Sequence, residues 1–232
     1  MESLGRESPN KTRIKICGIT NLSDARMVVE LGADLIGLNL VAGPRKIPFS
    51  AAMEIAADPS VRGRAVLLLG EWPAAWDRSP PERELLAGVQ FYGPMDHPAV
   101  QRLVRLRLPI YFPLQIRDIQ SLDSIGELLR RNTLADVLWL LDSHVPGKLG
   151  GSGQVFDWSV AVEFSRRFIQ GTSVRWGVAG GLTPHNVADA IRELAPDLVD
   201  VSSGVEEAGR PGIKRRERVR EFIAAVCRGK MG

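Results

Sequence analysis

Cys17 and Asp142 are the residues of this sequence whose type and position suit proton transfer. Cys17 closes the stretch Arg13-Ile14-Lys15-Ile16-Cys17-Gly18-Ile19-Thr20, in which polar and β-branched residues alternate up to a cysteine and a glycine. That pattern reads as a buried strand ending in a turn. A thiol at the mouth of a strand serves as nucleophile or base when its surroundings lower its pKa, whereas a cysteine inside a core only packs. Asp142 directly follows the apolar run Val137 to Leu141. A carboxyl at such an edge loses hydration, which raises its pKa and keeps it protonated as a general acid; capping of its own loop is the competing reading.

Other stretches have the character of ligand contacts. Arg45 lies in a loop braced by Gly43, Pro44 and Pro48. Its planar fork suits a carboxylate or a phosphate, and a plain surface arginine is the alternative. Gly180-Gly181 and Ser202-Ser203-Gly204 are glycine-rich, hydroxyl-bearing turns. Glycine lets backbone N–H groups come close to an anion, and a helix N-terminus beyond adds a favourable dipole. Tight turns that need positive φ would look the same. Gly150-Gly151-Ser152-Gly153 belongs to a long glycine-rich loop, Ser143 to Val155, which would add a third wall or act as a lid.

The elements that would position these groups alternate along the chain. Strands are expected at 13–17, 33–40, 65–69, 89–92, 110–115, 135–141, 174–178 and 198–201. Pro113 should mark the end of the fifth or a bulge in it. Helices are expected from Asn21 to Leu31 with Gly32 closing, from a Ser50 cap through Ala57, near Pro81 to Leu86, and over 98–106, 119–129 and 157–169. Two more open at Thr183-Pro184 and fill 215–227. Eight strands alternating with eight helices, about 25 to 30 residues per unit, fit an α/β fold of the (β/α)8 TIM barrel type. A doubly wound open sheet is the runner-up, but no G-x-G-x-x-G turn follows an early strand. The absence of a linker-like shift in composition points to a single domain over 13–232, preceded by a disordered, polar N-terminal tail over 1–12. In such a barrel the active site lies at the C-terminal strand ends, with a phosphate site often built after strands seven and eight. Cys17, Arg45, Asp142 and both glycine-rich turns all fall there.

Composition narrows the function. The 232 residues are 44% hydrophobic and 25% charged, ordinary for a globular protein. No apolar run approaches the roughly 20 residues that span a bilayer, and the first 12 residues lack a secretory apolar core. Cys17 and Cys227 form neither a disulfide framework nor a metal-ligand spacing, and His97, His144 and His185 are scattered, so no metal and a reducing, cytoplasmic setting are expected. The basic run Lys214-Arg215-Arg216-Glu217-Arg218-Val219-Arg220 lacks interleaved aromatics and precedes an apolar helical stripe. It reads as the solvated face of a terminal helix, and neither nucleic acid nor membrane is an expected partner. The net charge of +3 still suits an anionic substrate.

Taken together, these residues resemble the phosphoribosylanthranilate isomerases, the barrel enzymes of tryptophan biosynthesis. The resemblance rests on Lys15-Ile16-Cys17-Gly18-Ile19-Thr20, Gly32-Ala33-Asp34, Gly43-Pro44-Arg45, Gln90-Phe91-Tyr92-Gly93, Leu141-Asp142 and Gly150 to Gly153 with Phe156-Asp157-Trp158. It continues through Ala179-Gly180-Gly181-Leu182-Thr183-Pro184, Asn186-Val187, Asp200 to Glu206 and Pro211-Gly212 with Lys214. The family performs an Amadori rearrangement without cofactor or metal. What the resemblance implies here is that Asp142 protonates the ribose ring oxygen and Cys17, as thiolate, takes the C2 proton. It also implies that Arg45 binds the anthranilate carboxylate, while the Gly181 and Ser203-Gly204 N–H groups bind the phosphate. Gly151, Gly180 and Ser202 complete the expected substrate contacts. The expected partner is a small phosphorylated molecule, and the expected assembly is a monomer or homodimer.

The chain departs from the family pattern at Asn39, Leu40 and Gly43, at Glu71-Trp72, at Phe91-Tyr92 where Leu-His is usual, at Phe112 to Gln115, and at Arg215. Most of these departures lie on the side that would face the aglycone. The competing functions are therefore a paralogue acting on another phosphoribosyl or phosphosugar substrate, and a non-catalytic phosphosugar-binding barrel.

Overall fold

In a computed structural model, eight parallel strands pair in sequence order and close into a barrel. They are β1 (Arg13–Cys17), β2 (Leu35–Asn39), β3 (Ala65–Leu69), β4 (Leu86–Phe91), β5 (Ile110–Ile116), β6 (Val137–Ser143), β7 (Arg175–Val178) and β8 (Leu198–Val201). Around them stand α1 (Leu22–Glu30), α2 (Phe49–Ala57), α3 (Pro98–Arg105), α4 (Ser121–Arg131), α5 (Trp158–Phe164), α6 (Val187–Leu194) and α7 (Arg216–Gly229). The structure describes residues 12–81, 83–116, 119–131, 134, 136–143 and 158–230. Residues 1–11 of the tail expected over 1–12, and the loop beyond Ser143 that holds Gly151, lie outside the described residues, while Thr12 does not belong to a disordered tail. Thr12 is buried and donates from its hydroxyl to Pro196 O at 2.8 Å, across the foot of the barrel.

The strand alternation sorts side chains into two layers. Ile14, Ile16, Ile36, Leu38, Leu67, Val89, Phe91, Trp139, Leu141, Trp176, Val199 and Val201 face the helices. Leu35, Val66, Tyr111, Leu138, Leu140, Ala179 and Leu198 fill the barrel interior. That filling is an apolar plug, as barrels of this size require. Each large side chain sequestered there contributes roughly 1.5–3 kcal/mol. Above the plug the inward series turns polar: Lys15 and Cys17 on β1, Asn39 on β2, Gln90 on β4, Asp142 on β6 and Asp200 on β8.

Several expectations need correction. Among the described residues near Pro81 to Leu86 no α-helix forms; 3₁₀ turns occupy Ala74–Asp77 and Arg83–Leu85 ahead of β4. The prolines at 73, 80 and 81 keep breaking the helical hydrogen-bond ladder there. Pro113 lies inside β5, in register with Leu140 of β6. It is tolerated because the β4 ladder has already ended at Gln90↔Tyr111. Ser50 does not cap α2, whose N-cap is Pro48. The helix foreseen at Thr183-Pro184 begins at Val187, because the Asn186 side chain is used to brace the preceding loop.

Candidate active site

Cys17 reaches the cleft because its neighbour leaves it room. In the β1–β2 register Cys17 stands opposite Gly37. A Cβ on Gly37 would lie 2.6 Å from the Cys17 Sγ. Gly18 then turns the chain at φ +73°, and a Cβ there would meet the Arg45 Cδ at 2.3 Å. The Arg45 stem thus crosses the bare Gly18 backbone, and its head turns to Glu206. The Arg45 Nε and Nη2 donate to the two Glu206 carboxylate oxygens, each at 2.7 Å. Glu206 also accepts from Lys214 Nζ at 2.8 Å and from the Gly212 N–H at 2.9 Å. Burial alone would raise the Glu206 pKa, but the Arg45 fork, Lys214 and Gly212 outweigh it and hold it at about 2. Lys214 is itself pulled below the usual lysine range, chiefly by burial.

Beneath Cys17 lies a buried ion pair. Lys15 precedes Cys17 by one strand period and stands in register with Asp200 of β8. Its Nζ donates to Asp200 Oδ2 at 2.6 Å and to Gln90 Oε1 at 2.8 Å. Burial would lower the Lys15 pKa, yet Asp200 and the Cys17 sulfur outweigh it and the ammonium is held more firmly than usual. Burial raises the Cys17 pKa above the ordinary thiol value and Asp200 adds to this; Lys15 and Lys214 work against the rise without cancelling it. The thiol is therefore a strong base when ionised, and two cations lie close enough to favour that ionised form.

Asp142 ends the inward series of β6 after Leu138 and Leu140, and only 9% of it is exposed. Gly180 (φ +82°) and Gly181 (φ +66°) follow β7. Their loop is pinned by Asn186, which accepts from the Thr183 N–H at 2.7 Å and donates to Gly181 O at 3.0 Å. An open cleft of about 650 Å³, counted to its solvent mouth, brings these parts together. Cys17, Arg45, Asp142, Gly180, Gly181, Ser202 and Ser203 all line it. Gly204 stands behind this wall, where a Cβ would lie 2.1 Å from Leu182 O, so its bareness lets the two phosphate-type loops approach. Among the described residues, Asp200 Oδ1 and Ser202 Oγ are buried without a hydrogen-bond partner, and both residues line the cleft. Buried polar atoms of this kind ordinarily have partners, so a ligand hydroxyl or phosphate is a fitting one. No cluster of His, Cys, Asp or Glu able to hold a metal occurs among the described residues, and none of their helices is long and apolar enough to cross a membrane.

Sequence reasoning did not single out Lys15, Gln90, Tyr92, Asp200, Glu206 or Lys214 as parts of the site. Lys15 was within reach: it lies two residues before Cys17, hence on the same strand face. The Arg45–Glu206 pair joins residues 161 positions apart and leaves no local signal.

The model of the N-(5'-phosphoribosyl)anthranilate (PRA) isomerase family matches residues 14–225. The N-(5'-phosphoribosyl)anthranilate isomerase of Geotalea daltonii is 37% identical over 223 residues, covering 95% of this chain and 100% of the relative. The crystal structure of phosphoribosyl anthranilate isomerase from Thermotoga maritima superposes with a TM-score of 0.73 at 28% identity, over 94% of this chain and 99% of the other. A phosphoribosyl anthranilate isomerase solved in complex with reduced 1-(o-carboxyphenylamino)-1-deoxyribulose 5-phosphate superposes at 0.71, also at 28% identity, over 94% and 99% of the two chains.

Proposed function

The chain belongs to the N-(5'-phosphoribosyl)anthranilate isomerase family, and we propose that Asp142 and Cys17 share the acid and base work of its reaction. That reaction is the Amadori rearrangement of N-(5-phosphoribosyl)anthranilate to 1-(2-carboxyphenylamino)-1-deoxyribulose 5-phosphate, a step of tryptophan biosynthesis. The enzyme is an intramolecular oxidoreductase of the aldose–ketose type. Asp142 donates a proton to the ribose ring oxygen, and the C1–O bond opens to a protonated Schiff base. The Cys17 thiolate removes the proton from C2, whose electrons flow toward the iminium nitrogen to give an enolamine. Loss of the O2 proton and protonation at C1 complete the ketose.

One observation carries this reading: Cys17 and Asp142 line a single cleft whose rim is formed by Gly180, Gly181, Ser202 and Ser203. The rim takes the substrate phosphate through backbone N–H groups. Arg45, with its Nε and Nη2 held by Glu206, offers its remaining Nη1 edge to the anthranilate carboxylate. The phosphorylated analogue bound by a solved relative supports a phosphosugar ligand of this kind. We place the enzyme in the cytoplasm, as one domain from residue 13 onward, acting as a monomer or homodimer.

Turnover of N-(5-phosphoribosyl)anthranilate by the wild type tests the reaction. Cys17→Ala and Asp142→Asn test the roles, and each should lower kcat by at least about 10²-fold, the usual weight of a positioned acid or base. A wild type that binds phosphate but leaves this substrate unchanged would point to another phosphosugar. Full activity in either variant would remove that residue from the mechanism.

A further inference from the structure

Tyr92 is a hydroxyl-bearing residue of the cleft wall that the mechanism above does not use. It follows β4, is half-buried, and lines the cleft with Cys17 and Asp142. Its hydroxyl accepts a hydrogen bond from Gln90 Nε2 at 2.8 Å. The direction of that bond is fixed from below. Lys15 Nζ has only protons to offer, so the Gln90 atom 2.8 Å from it must be the amide oxygen. The Gln90 NH₂ group is thereby turned toward Tyr92, and the phenol oxygen must accept. The hydroxyl proton is left to point elsewhere, and among the described residues it donates to none.

We propose that Tyr92 contacts the substrate as a hydrogen-bond donor to the oxygen on the sugar C2, with its proton aimed by the chain Asp200–Lys15–Gln90. The choice of oxygen follows from the neighbours. Tyr92 lines the same cleft as Cys17 and Asp142, so its hydroxyl faces the region they share. Cys17 works at C2 and Asp142 at the ring oxygen, and the other oxygen in that region is O2. This is the atom that passes from hydroxyl through enol to ketone. A neutral donor held against it stabilises the negative charge that builds there as the enol oxygen gives up its proton on the way to the ketone. Burial, reinforced by the Cys17, Asp142 and Asp200 charges, keeps the phenol protonated and available as a donor.

The inference rests on the isomerase reading, and wild-type turnover tests that reading separately. Given turnover, Tyr92→Phe should lower kcat by about 10- to 100-fold with KM changed less than about threefold, and should leave the alkaline limb of the pH–rate profile in place. Gln90→Glu supplies the control. A carboxylate still accepts from Lys15 but cannot donate to Tyr92, so the phenol proton turns toward residue 90 and away from the cleft. In that background Tyr92→Phe should cost no more than about twofold. An unchanged kcat for Tyr92→Phe in the wild-type background, or an equal loss in both backgrounds, would overturn the proposal.

Discussion

Gly37 offers the sharpest test of the base, because one added carbon there acts on a single atom. A Cβ at position 37 would stand 2.6 Å from the Cys17 Sγ, 3.0 Å from its Cα and 3.2 Å from its Cβ. Ordinary van der Waals separation begins at about 3.5–4.0 Å, so the sulfur must retreat by roughly 1 Å. Rotating the thiol about its Cα–Cβ bond leaves the crowding against the Cys17 backbone unrelieved, so β1 and β2 must also part by a few tenths of an ångström. The expected cost in stability is about 1–3 kcal/mol, that of an overpacked core position. The expected cost in kcat is about 10²-fold, that of moving a reacting atom by about 1 Å. Gly70→Ala is the matched control, since a Cβ there meets only the Val41 Cγ1 at 3.6 Å. The assay pairs initial rates on N-(5-phosphoribosyl)anthranilate with thermal melting. If Gly37→Ala melts below the wild type yet keeps its kcat within threefold, the position of the sulfur does not govern the reaction. If Gly70→Ala loses as much, the effect is not local to Cys17.

Lys15→Met removes a cation that pulls the Cys17 pKa down, so the alkaline limb of kcat/KM should move to higher pH. It also strands Asp200 without its counter-charge, at a cost of about 3–5 kcal/mol. The double variant Lys15→Met/Asp200→Asn should regain most of that stability, and a limb that stays put in Lys15→Met would exclude Lys15 from tuning the thiol. Glu206 makes a prediction about acid. Its folded pKa of about 2 lies below the unfolded value of about 4.3, so its contribution is complete above pH ~4.3 and fades as the pH falls through about 2. Urea unfolding should therefore show wild type exceeding Glu206→Gln by about 2–3 kcal/mol at pH 6, with the gap closing toward pH 2; a gap independent of pH would contradict the assignment.

How much of this was legible in the sequence depended on where each signal is stored. Cys17 and Asp142 declare themselves locally, as a thiol ending an alternating strand pattern and a carboxyl ending an apolar run, and the barrel architecture then brings strand ends together. The eight strands are legible for the same reason, because alternation and apolar runs are local patterns. The helix expected before β4 is replaced by 3₁₀ turns, where prolines at 73, 80 and 81 withhold backbone donors. Asn186 shows a subtler failure. The helix start was read at Thr183-Pro184, but Asn186 bonds the loop of Gly181 and Thr183, and the helix begins after it. The pairs Lys15–Asp200 and Arg45–Glu206 exist only once the barrel closes, because they join its first strands to its last.

The closed barrel also explains why a buried ion pair belongs under the thiol. The plug of Leu35, Val66, Leu138, Leu140 and Leu198 keeps water from the barrel interior below Lys15. In that medium a charge acts with far more force than in water, and its position cannot relax. Lys15 and Asp200 are fixed by strand register, so their field at Cys17 is built into the sheet rather than assembled during the reaction. Among the described groups around the cleft, Lys15, Arg45 and Lys214 face Asp200 and Glu206 before Asp142 and Cys17 are counted. Counting the Cys17 thiolate beside a protonated Asp142 brings the set to three charges of each sign, so the cations there are balanced. Lys15 and Lys214 each pull the Cys17 thiol toward its ionised form, against burial and Asp200.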